Sequence, residues 1–196
     1  MAKLYFKYGA MNSGKTTILI QTAHNYESLG MKVIVIKPSK DIKGEGKIVS
    51  RVGLERKVDY LIKDGDNIFD LIKNEHSDIQ CLLVDEVQFL EEKQIDELLM
   101  IASLLDIAVI CYGLRTDFRM QGFRGSPRLL LIADKIEEIK TICKCGKKAT
   151  INVRKVNDEY VFKGEQVAID GFDNIKYESM CPVCYYKLKD LNKKVY

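Results

Sequence analysis

The sequence predicts an α/β fold, in which helices cover both faces of a parallel sheet, followed by a small metal-binding unit. Three observations support this prediction. Up to about residue 141, short apolar runs alternate with helical patterns, which is typical of βαβ units. A glycine-containing turn links the first apolar run to the first helical pattern, and two close pairs of cysteines follow the last run. We therefore expect two domains, covering residues 1–141 and 142–196.

The strands are predicted from runs rich in valine, isoleucine and aromatic residues. A parallel strand that is buried on both faces is apolar along its whole length, without polar alternation. Four runs fit this description, and a fifth strand is predicted at 134–142. The four runs are LYFKYG (4–9), MKVIVIKP (31–38), CLLVDE (81–86) and IAVICYG (107–113).

Three helices are predicted between these strands, at 14–30, 66–76 and 91–106. In the second helix, apolar residues recur at helical spacing. Gly30 lies where the first helix is expected to end, because glycine readily adopts the left-handed conformation that closes a helix. Residues 41–51 contain two glycines and are predicted to form a mobile loop.

Composition and charge narrow the class of protein. The chain is 46% hydrophobic and 30% charged, which is typical of a globular protein. It lacks an apolar run of about 18 residues, as a membrane span would need, and its start does not resemble a signal peptide. We expect a cytoplasmic protein with reduced cysteines and no membrane partner. The net charge is only +3, and the lysine and arginine residues are interspersed with aspartate and glutamate. No nucleic-acid partner is therefore expected.

Residues 9–16, GAMNSGKT, match the phosphate-binding pattern G-x-x-x-x-G-K-[ST] between a predicted strand and a predicted helix. Backbone N–H groups of such a loop point inward at the phosphates of a nucleotide such as ATP. Lys15 is expected to reach the β and γ phosphates, and the Thr16 hydroxyl to bind Mg²⁺. The other loop residues assigned to this site are Gly9, Ala10, Met11, Asn12, Ser13 and Gly14.

Two carboxylates, Asp85 and Glu86, end the third predicted strand. The carboxyl end of a neighbouring parallel strand faces the phosphate loop. Asp85 is expected to hold Mg²⁺, and Glu86 to orient the group that attacks the γ-phosphate. If that group is water, the protein is an ATPase; if it is a substrate hydroxyl, the protein is a kinase.

Four cysteines form a C-x-C pair and a C-x-x-C pair. Two such pairs give Zn²⁺ four sulfur ligands, and a site filled by four protein ligands is structural. The predicted zinc ligands are Cys143, Cys145, Cys181 and Cys184. Between the pairs, residues 158–177 contain too little apolar surface to order themselves, but with their ends fixed they could cover a small molecule and exclude water.

The motifs together resemble the thymidine kinases of the zinc-containing type, found in many bacteria and in the animal cytosol. The resemblance rests on MNSGKTT, LVDEVQFL, CYGLRTDF, KTIC and GEQVAIDG, followed by a tyrosine and C-x-x-C. It implies transfer of the ATP γ-phosphate to the 5′-hydroxyl of thymidine or deoxyuridine, in deoxynucleoside salvage. It also implies a RecA-like P-loop core, a zinc-held lasso over the base, and usually a homotetramer.

Carried over by position, the resemblance assigns catalytic roles to two residues. Glu86 is the base that orients the 5′-hydroxyl, and Lys15 contacts the phosphates. It adds Asp41, Lys43, Asp85 and Gln88 to the ATP site. The residues implied for the thymine and deoxyribose site are Met11, Phe89, Leu114, Phe118, Phe123, Gln166, Val167, Ala168, Ile169, Asp170 and Tyr177. Arg154 also matches a family arginine.

The chain departs from the family pattern at three places. Asp170 stands where glycine is typical, Lys43 stands where arginine is common, and the spacer at 172–176 is longer than usual. Two other functions fit the motifs: a P-loop kinase for another nucleoside, and a P-loop ATPase whose zinc ribbon binds nucleic acid or protein.

Overall fold

The computed structural model describes residues 1–41, 44, 46–76, 78–168 and 174–193, with side chains as far as residue 190. At its centre lies a six-stranded parallel sheet of order β5-β2-β6-β7-β1-β8. The predicted parallel sheet is therefore confirmed. The first eight strands are β1 (Leu4–Tyr8), β2 (Val33–Pro38), β3 (Lys47–Val49), β4 (Glu55–Lys57), β5 (Tyr60–Ile62), β6 (Cys81–Val84), β7 (Ala108–Gly113) and β8 (Lys135–Glu138).

The helices pack on both faces of this sheet. Alternate residues of β6 enter different cores: Leu82 packs in the core that contains Leu98, and Leu83 packs in the core that contains Leu19. Burial on both faces explains why the strand reads as a continuous apolar run. The helices are α1 (Lys15–Glu27), α2 (Ile68–Glu75), α3 (Glu92–Leu104), α4 (Gly125–Ile132) and α5 (Pro182–Lys193), with a 3₁₀ turn at Val87–Phe89.

The three predicted helices correspond to α1, α2 and α3, whereas α4 and α5 lie where no element is predicted above. Within the described residues, no helix combines the length and the apolar character that crossing a bilayer requires.

The predicted mobile loop at 41–51 is wrong in its second half. Residues from Lys47 onward form an antiparallel hairpin of β3 and β4. The hairpin is ordered because Ile48 is buried and packs in the same core as Val58. The edge strand β5 was not predicted either, because three residues with an exposed Leu61 carry little apolar signal.

The region after β8 forms smaller sheets instead of a loop without structure. β9 (Thr141–Ile142) pairs with β10 (Lys148–Ala149), and β11 (Ile151–Val156) pairs with β12 (Glu159–Val161) and β13 (Ile175–Met180). Residues 158–177 contribute β12 and the start of β13 to these sheets, and the expectation that they cannot order themselves without fixed ends stays a prediction for this part of the inter-cysteine segment. The strands between the cysteine pairs share a buried cluster with the cysteines, formed by Cys143, Ala149, Ile151, Val153, Met180, Cys181 and Tyr185.

The predicted fifth strand at 134–142 is split. Lys135–Glu138 joins the large sheet beside β1, whereas Thr141–Ile142 pairs with β10. The division of the chain between residues 141 and 142 stays a prediction.

Candidate active site

The phosphate loop runs from the end of β1 to the start of α1. Asn12 and Gly14 adopt left-handed backbone conformations, with φ of 65° and 83°. A Cβ atom at Gly9 would lie 2.5 Å from the carbonyl oxygen of Ile139, so only glycine fits there. The tight curvature predicted from the G-x-x-x-x-G spacing is thus present.

Lys15 turns back into this loop. Its Nζ donates to the carbonyl oxygens of Gly9 and Ala10, at 3.2 and 3.0 Å. Burial lowers the pKa of Lys15, while the nearby Glu86 and Asp85 act in the opposite direction. Ser13 Oγ is buried and has no hydrogen-bond partner in the described part of the chain. A buried ammonium group and an unpartnered hydroxyl in one concave loop fit an anion such as phosphate.

Asp85 and Glu86 follow directly after β6 and have different surroundings. Asp85 is 3% exposed, and burial, assisted by the charge of Glu86, raises its pKa to about 7. The Thr16 hydroxyl donates to Asp85 Oδ2 at 3.3 Å. A hydroxyl and a buried carboxylate side by side are oxygen donors of the kind that Mg²⁺ prefers beside nucleotide phosphates.

Glu86 is half-buried and has a left-handed backbone, with φ of 48°. Such a conformation in a residue other than glycine costs free energy and often occurs at functional sites. Gln88 Nε2 donates to Glu86 Oε2, and Gln88 Oε1 accepts from the backbone N–H of Leu114 at 3.0 Å. The carboxylate of Glu86 is therefore held in place by a buried amide.

Two cavities meet at Glu86. The first, here called the loop cavity, has a volume of about 190 Å³ and lies between the phosphate loop and the segment from Val49 to Val52. The second, the aromatic cavity, has a volume of about 130 Å³. Met11, Glu86 and Leu114 line both cavities. Groups bound in the two cavities would therefore both lie beside the carboxylate of Glu86.

The aromatic cavity is lined by every described residue that the resemblance assigns to nucleoside binding. These residues are Met11, Phe89, Leu114, Phe118, Phe123, Gln166, Val167, Ala168 and Tyr177. The Phe89 and Phe123 rings lie edge to face, with centroids 5.5 Å apart. Ile169, Asp170 and Lys43, which were also assigned to binding, lie outside the described residues.

Two residues assigned to ATP, Asp41 and Gln88, lie beside the aromatic cavity and are not among the described residues that line the loop cavity. The sequence analysis missed Asp117 and Asn152, which also line the aromatic cavity. A signal was available for Asn152, because it lies two positions before Arg154 and so shares one face of β11 with it, while Ile151 and Val153 on the other face are apolar.

Arg154 holds the residues 164–168, here called the lasso segment, against the aromatic cavity. Its guanidinium group donates to the carbonyl oxygens of Glu165 and Gln166, at 2.7 and 3.0 Å, and to Tyr177 Oη at 2.8 Å. It also lies 3.8 Å from the ring centroid of Phe118. Since Arg154 is only 4% exposed, these charge-assisted hydrogen bonds are protected from water.

The four cysteines lie close together. Their sulfur atoms all lie within 4.8 Å of one another, and Cys145 Sγ is 3.5 Å from Cys181 Sγ. A tetrahedral zinc site with Zn–S bonds of ~2.3 Å places its sulfurs about 3.8 Å apart. Backbone N–H groups lower the pKa of Cys143 to about 6, whereas hydrogen bonds with the neighbouring thiols raise the pKa of Cys184 to about 12. A metal ion would bind all four sulfurs as thiolates. The donor set therefore fits a structural metal ion.

Comparisons with known proteins identify the family of this chain. The family model described as thymidine kinase matches residues 2–185. A thymidine kinase of Shewanella oneidensis is 46% identical over 185 residues, which covers 92% of this chain and 95% of that protein. A thymidine kinase of Streptococcus gordonii is 43% identical over 194 residues, covering 98% and 100% of the two chains.

Among solved structures, AMPPCP-bound DnaA from Aquifex aeolicus matches with a TM-score of 0.42 and 21% identity, over 71% of this chain and 41% of that one. That likeness is too distant to support an argument. The family match and the two relatives each extend over nearly the whole chain. The chain therefore belongs to the thymidine kinase family.

Proposed function

We propose that this chain transfers the γ-phosphoryl group of ATP to the 5′-hydroxyl of thymidine, and also of deoxyuridine, with Glu86 as the catalytic base. One observation carries the proposal: the loop cavity and the aromatic cavity meet at Glu86. A triphosphate tail in the first cavity and a nucleoside in the second would bring phosphorus and hydroxyl together beside this carboxylate.

The phosphate loop binds the triphosphate. Backbone N–H groups of the loop and the N-terminus of α1 provide a field that favours the anion. Lys15 compensates the charge that develops on the β and γ oxygens. Thr16 and Asp85 are the residues that would hold Mg²⁺, which neutralises phosphate charge when it is bound.

Glu86 acts on the hydroxyl. As the new O–P bond forms and the bond from phosphorus to the bridging oxygen of ADP breaks, Glu86 accepts the proton of the 5′-hydroxyl. Gln88 keeps the carboxylate oriented through the hydrogen bond to Glu86 Oε2. The products are ADP and the nucleoside 5′-monophosphate.

The aromatic cavity binds the base. Phe89, Phe118 and Phe123 provide apolar ring surfaces for a planar pyrimidine. The backbone of the lasso segment supplies hydrogen-bonding groups for the base edge, and Arg154 fixes their position. The four cysteines would hold Zn²⁺, which would tether both ends of this region as a structural ion.

The assembly and location that the resemblance implies are part of the proposal. The resemblance implies a homotetramer, and exposed apolar side chains such as Leu104 on α3 (67%) and Leu131 on α4 (78%) are available for subunit contacts. A cytoplasmic location suits a zinc site that needs reduced thiols. The mixed surface charge gives no support for a nucleic-acid partner. Sedimentation equilibrium of the zinc-loaded protein measures the subunit number.

The activity test incubates the pure protein with Mg-ATP, with and without nucleosides, and measures ADP together with the nucleotide product. Thymidine-dependent ADP release, with thymidine monophosphate formed in equal amount, is the expected result. ADP release without nucleoside would instead identify an ATPase. Activity with another nucleoside but not thymidine would keep the phosphoryl-transfer mechanism and overturn the substrate.

A further inference from the structure

Side chains on strands β11 and β13 of the smaller sheet form hydrogen bonds with the backbone of Met11 in the phosphate loop. The Met11 backbone N–H donates to Asn152 Oδ1 at 2.7 Å. Its carbonyl oxygen accepts a hydrogen bond from the Ser179 hydroxyl. Asn152 is 4% exposed and also donates from Nδ2 to the carbonyl oxygen of Thr116 at 3.0 Å. Both polar backbone groups of one phosphate-loop residue are thus bound by side chains from outside the parallel sheet.

The same two strands also contact the lasso segment, through residues two positions away on each strand. In the antiparallel pairing, Asn152 lies opposite Ser179, and Arg154 lies opposite Tyr177. Residues two apart on a strand point to the same face. Arg154 donates to lasso carbonyls, and the Tyr177 hydroxyl donates to the carbonyl oxygen of Ala168 at 3.0 Å. One face of a two-stranded ladder therefore contacts the loop at one end and the lasso segment at the other.

We propose that Asn152 and Ser179 are positioning residues that couple ATP binding to thymidine binding through this ladder. The inference rests on the proposed function, because it assigns ATP to the loop cavity and thymidine to the aromatic cavity. A phosphate loop that is fixed around a triphosphate fixes the Met11 backbone. Through the two side chains, this orders the face of the ladder that carries Arg154 and Tyr177.

The coupling must act in both directions. If ATP strengthens the binding of thymidine by some factor, thymidine strengthens the binding of ATP by the same factor. Asn152 lines the aromatic cavity, so its replacement can change thymidine affinity directly as well. Ser179 is not among the described residues that line either cavity. Its replacement therefore tests the coupling without altering a cavity wall.

The experiment measures the dissociation constant of thymidine by calorimetry, without nucleotide and with a saturating non-hydrolysable ATP analogue and Mg²⁺. The ratio of the two constants is the coupling factor. The unmodified zinc-loaded protein should bind thymidine more tightly with the analogue present. Ser179→Ala and Asn152→Ala should each reduce this ratio about threefold to tenfold, as expected for the loss of one or two buried hydrogen bonds. Asn74→Ala, an exposed change on α2, should leave the ratio unchanged.

A rescue variant separates coupling from general stability. Ser179→Thr keeps a hydroxyl for the Met11 carbonyl oxygen, so its ratio should lie closer to that of the unmodified protein than the ratio of Ser179→Ala. If Asn152→Ala does not fold, Ser179→Ala and Ser179→Thr carry the test. An unmodified protein that binds thymidine with a ratio of one would overturn the coupling and leave the proposed function intact. Ratios unchanged in the folded variants would do the same, whereas a protein that binds no thymidine would contradict the proposed function itself.

Discussion

At the scale of single residues, the adjacent carboxylates of Asp85 and Glu86 are separated by their surroundings. Asp85 is buried against α1 and accepts from the Thr16 hydroxyl. Glu86 lines both cavities and is held by Gln88. The buried acid can serve a cation, whereas the acid that faces both cavities can receive a proton from a substrate. The two residues should therefore fail in different ways when they are changed.

Glu86→Gln should lower kcat about 10²- to 10⁴-fold, because the amide cannot accept the proton of the attacking hydroxyl. The affinity for a non-hydrolysable ATP analogue should stay within about twofold, since the phosphate loop is unchanged. Steady-state kinetics and calorimetry on the same preparation measure both quantities. Glu92→Gln, an exposed change at the start of α3, is the matched control. A variant that turns over at the normal rate would remove Glu86 from the mechanism.

Asp85→Asn should stabilise the protein in the absence of nucleotide and Mg²⁺ while lowering its activity. The pKa of folded Asp85 is raised from 3.8 to about 7, so the folded state disfavours its ionisation. The resulting penalty is absent below about pH 4, grows toward pH 7 and is complete above pH 7. The variant lacks this penalty, so its free energy of unfolding should exceed that of the parent by on the order of 1–3 kcal/mol at pH 8.

Urea unfolding curves from pH 5 to pH 8 measure that difference, which should widen as the pH rises to about 7. Asp96→Asn is the control, because Asp96 pairs with Arg128 at the surface. A difference that is constant with pH would contradict the assignment of the penalty to Asp85. Activity with Mg-ATP should fall in the same variant, since Asp85 is proposed to hold the cation.

The sequence predicts the chemical roles of these residues better than it predicts which residues surround them in the fold. The spacing from Gly9 to Thr16 is itself the geometry of a phosphate loop. By contrast, the contact of Gln88 with Leu114 and that of Asn152 with Met11 depend on how the chain folds back on itself. Asn152 is 141 positions away from Met11, and the sequence shows no local pattern that links them.

At the scale of elements, burial decides which strands could be predicted. β2, β6 and β7 are apolar on both faces, so their sequences identify them. The strands β3, β4 and β5 have three residues each, and all three residues of β4 are charged. These short strands form because they pair with neighbouring strands and because residues such as Ile48 pack in the core. Both are tertiary interactions. Propensity alone is weak evidence for strands of this kind.

Arg154→Lys tests the element that carries the lasso segment. Lysine keeps the charge but loses the planar fork that donates to Glu165, Gln166 and Tyr177 at once. The KM for thymidine should rise about tenfold or more, while kcat and the KM for ATP change less. Arg128→Lys on α4, which alters only a surface ion pair, is the control. A thymidine KM that stays at the parent value would show that Arg154 does not position the lasso segment.

At the scale of the whole molecule, the metal-binding part is tied to the parallel sheet by a few specific contacts. The described contacts include those of Met11 with Asn152 and Ser179, and the donation from Asn152 to Thr116. The cysteine cluster lies at the base of the same strands, since Met180 of β13 precedes Cys181. Order in the cluster should therefore extend to both cavities, but more strongly to the aromatic cavity.

Removal of the metal should consequently affect the two substrates unequally. Dialysis against a chelator, followed by removal of the chelator and addition of Mg²⁺, should raise the thymidine KM at least tenfold. The KM for ATP should rise by less, because most of the phosphate loop is built from β1 and α1. Cys145→Ser should have the same effect without a chelator, and added Zn²⁺ should restore the chelated parent but not the variant. Elemental analysis should find one zinc per chain in the parent, as expected for one four-sulfur site. A parent without bound metal, or equal losses for both substrates, would show that the cysteine cluster does not support the lasso segment through a metal.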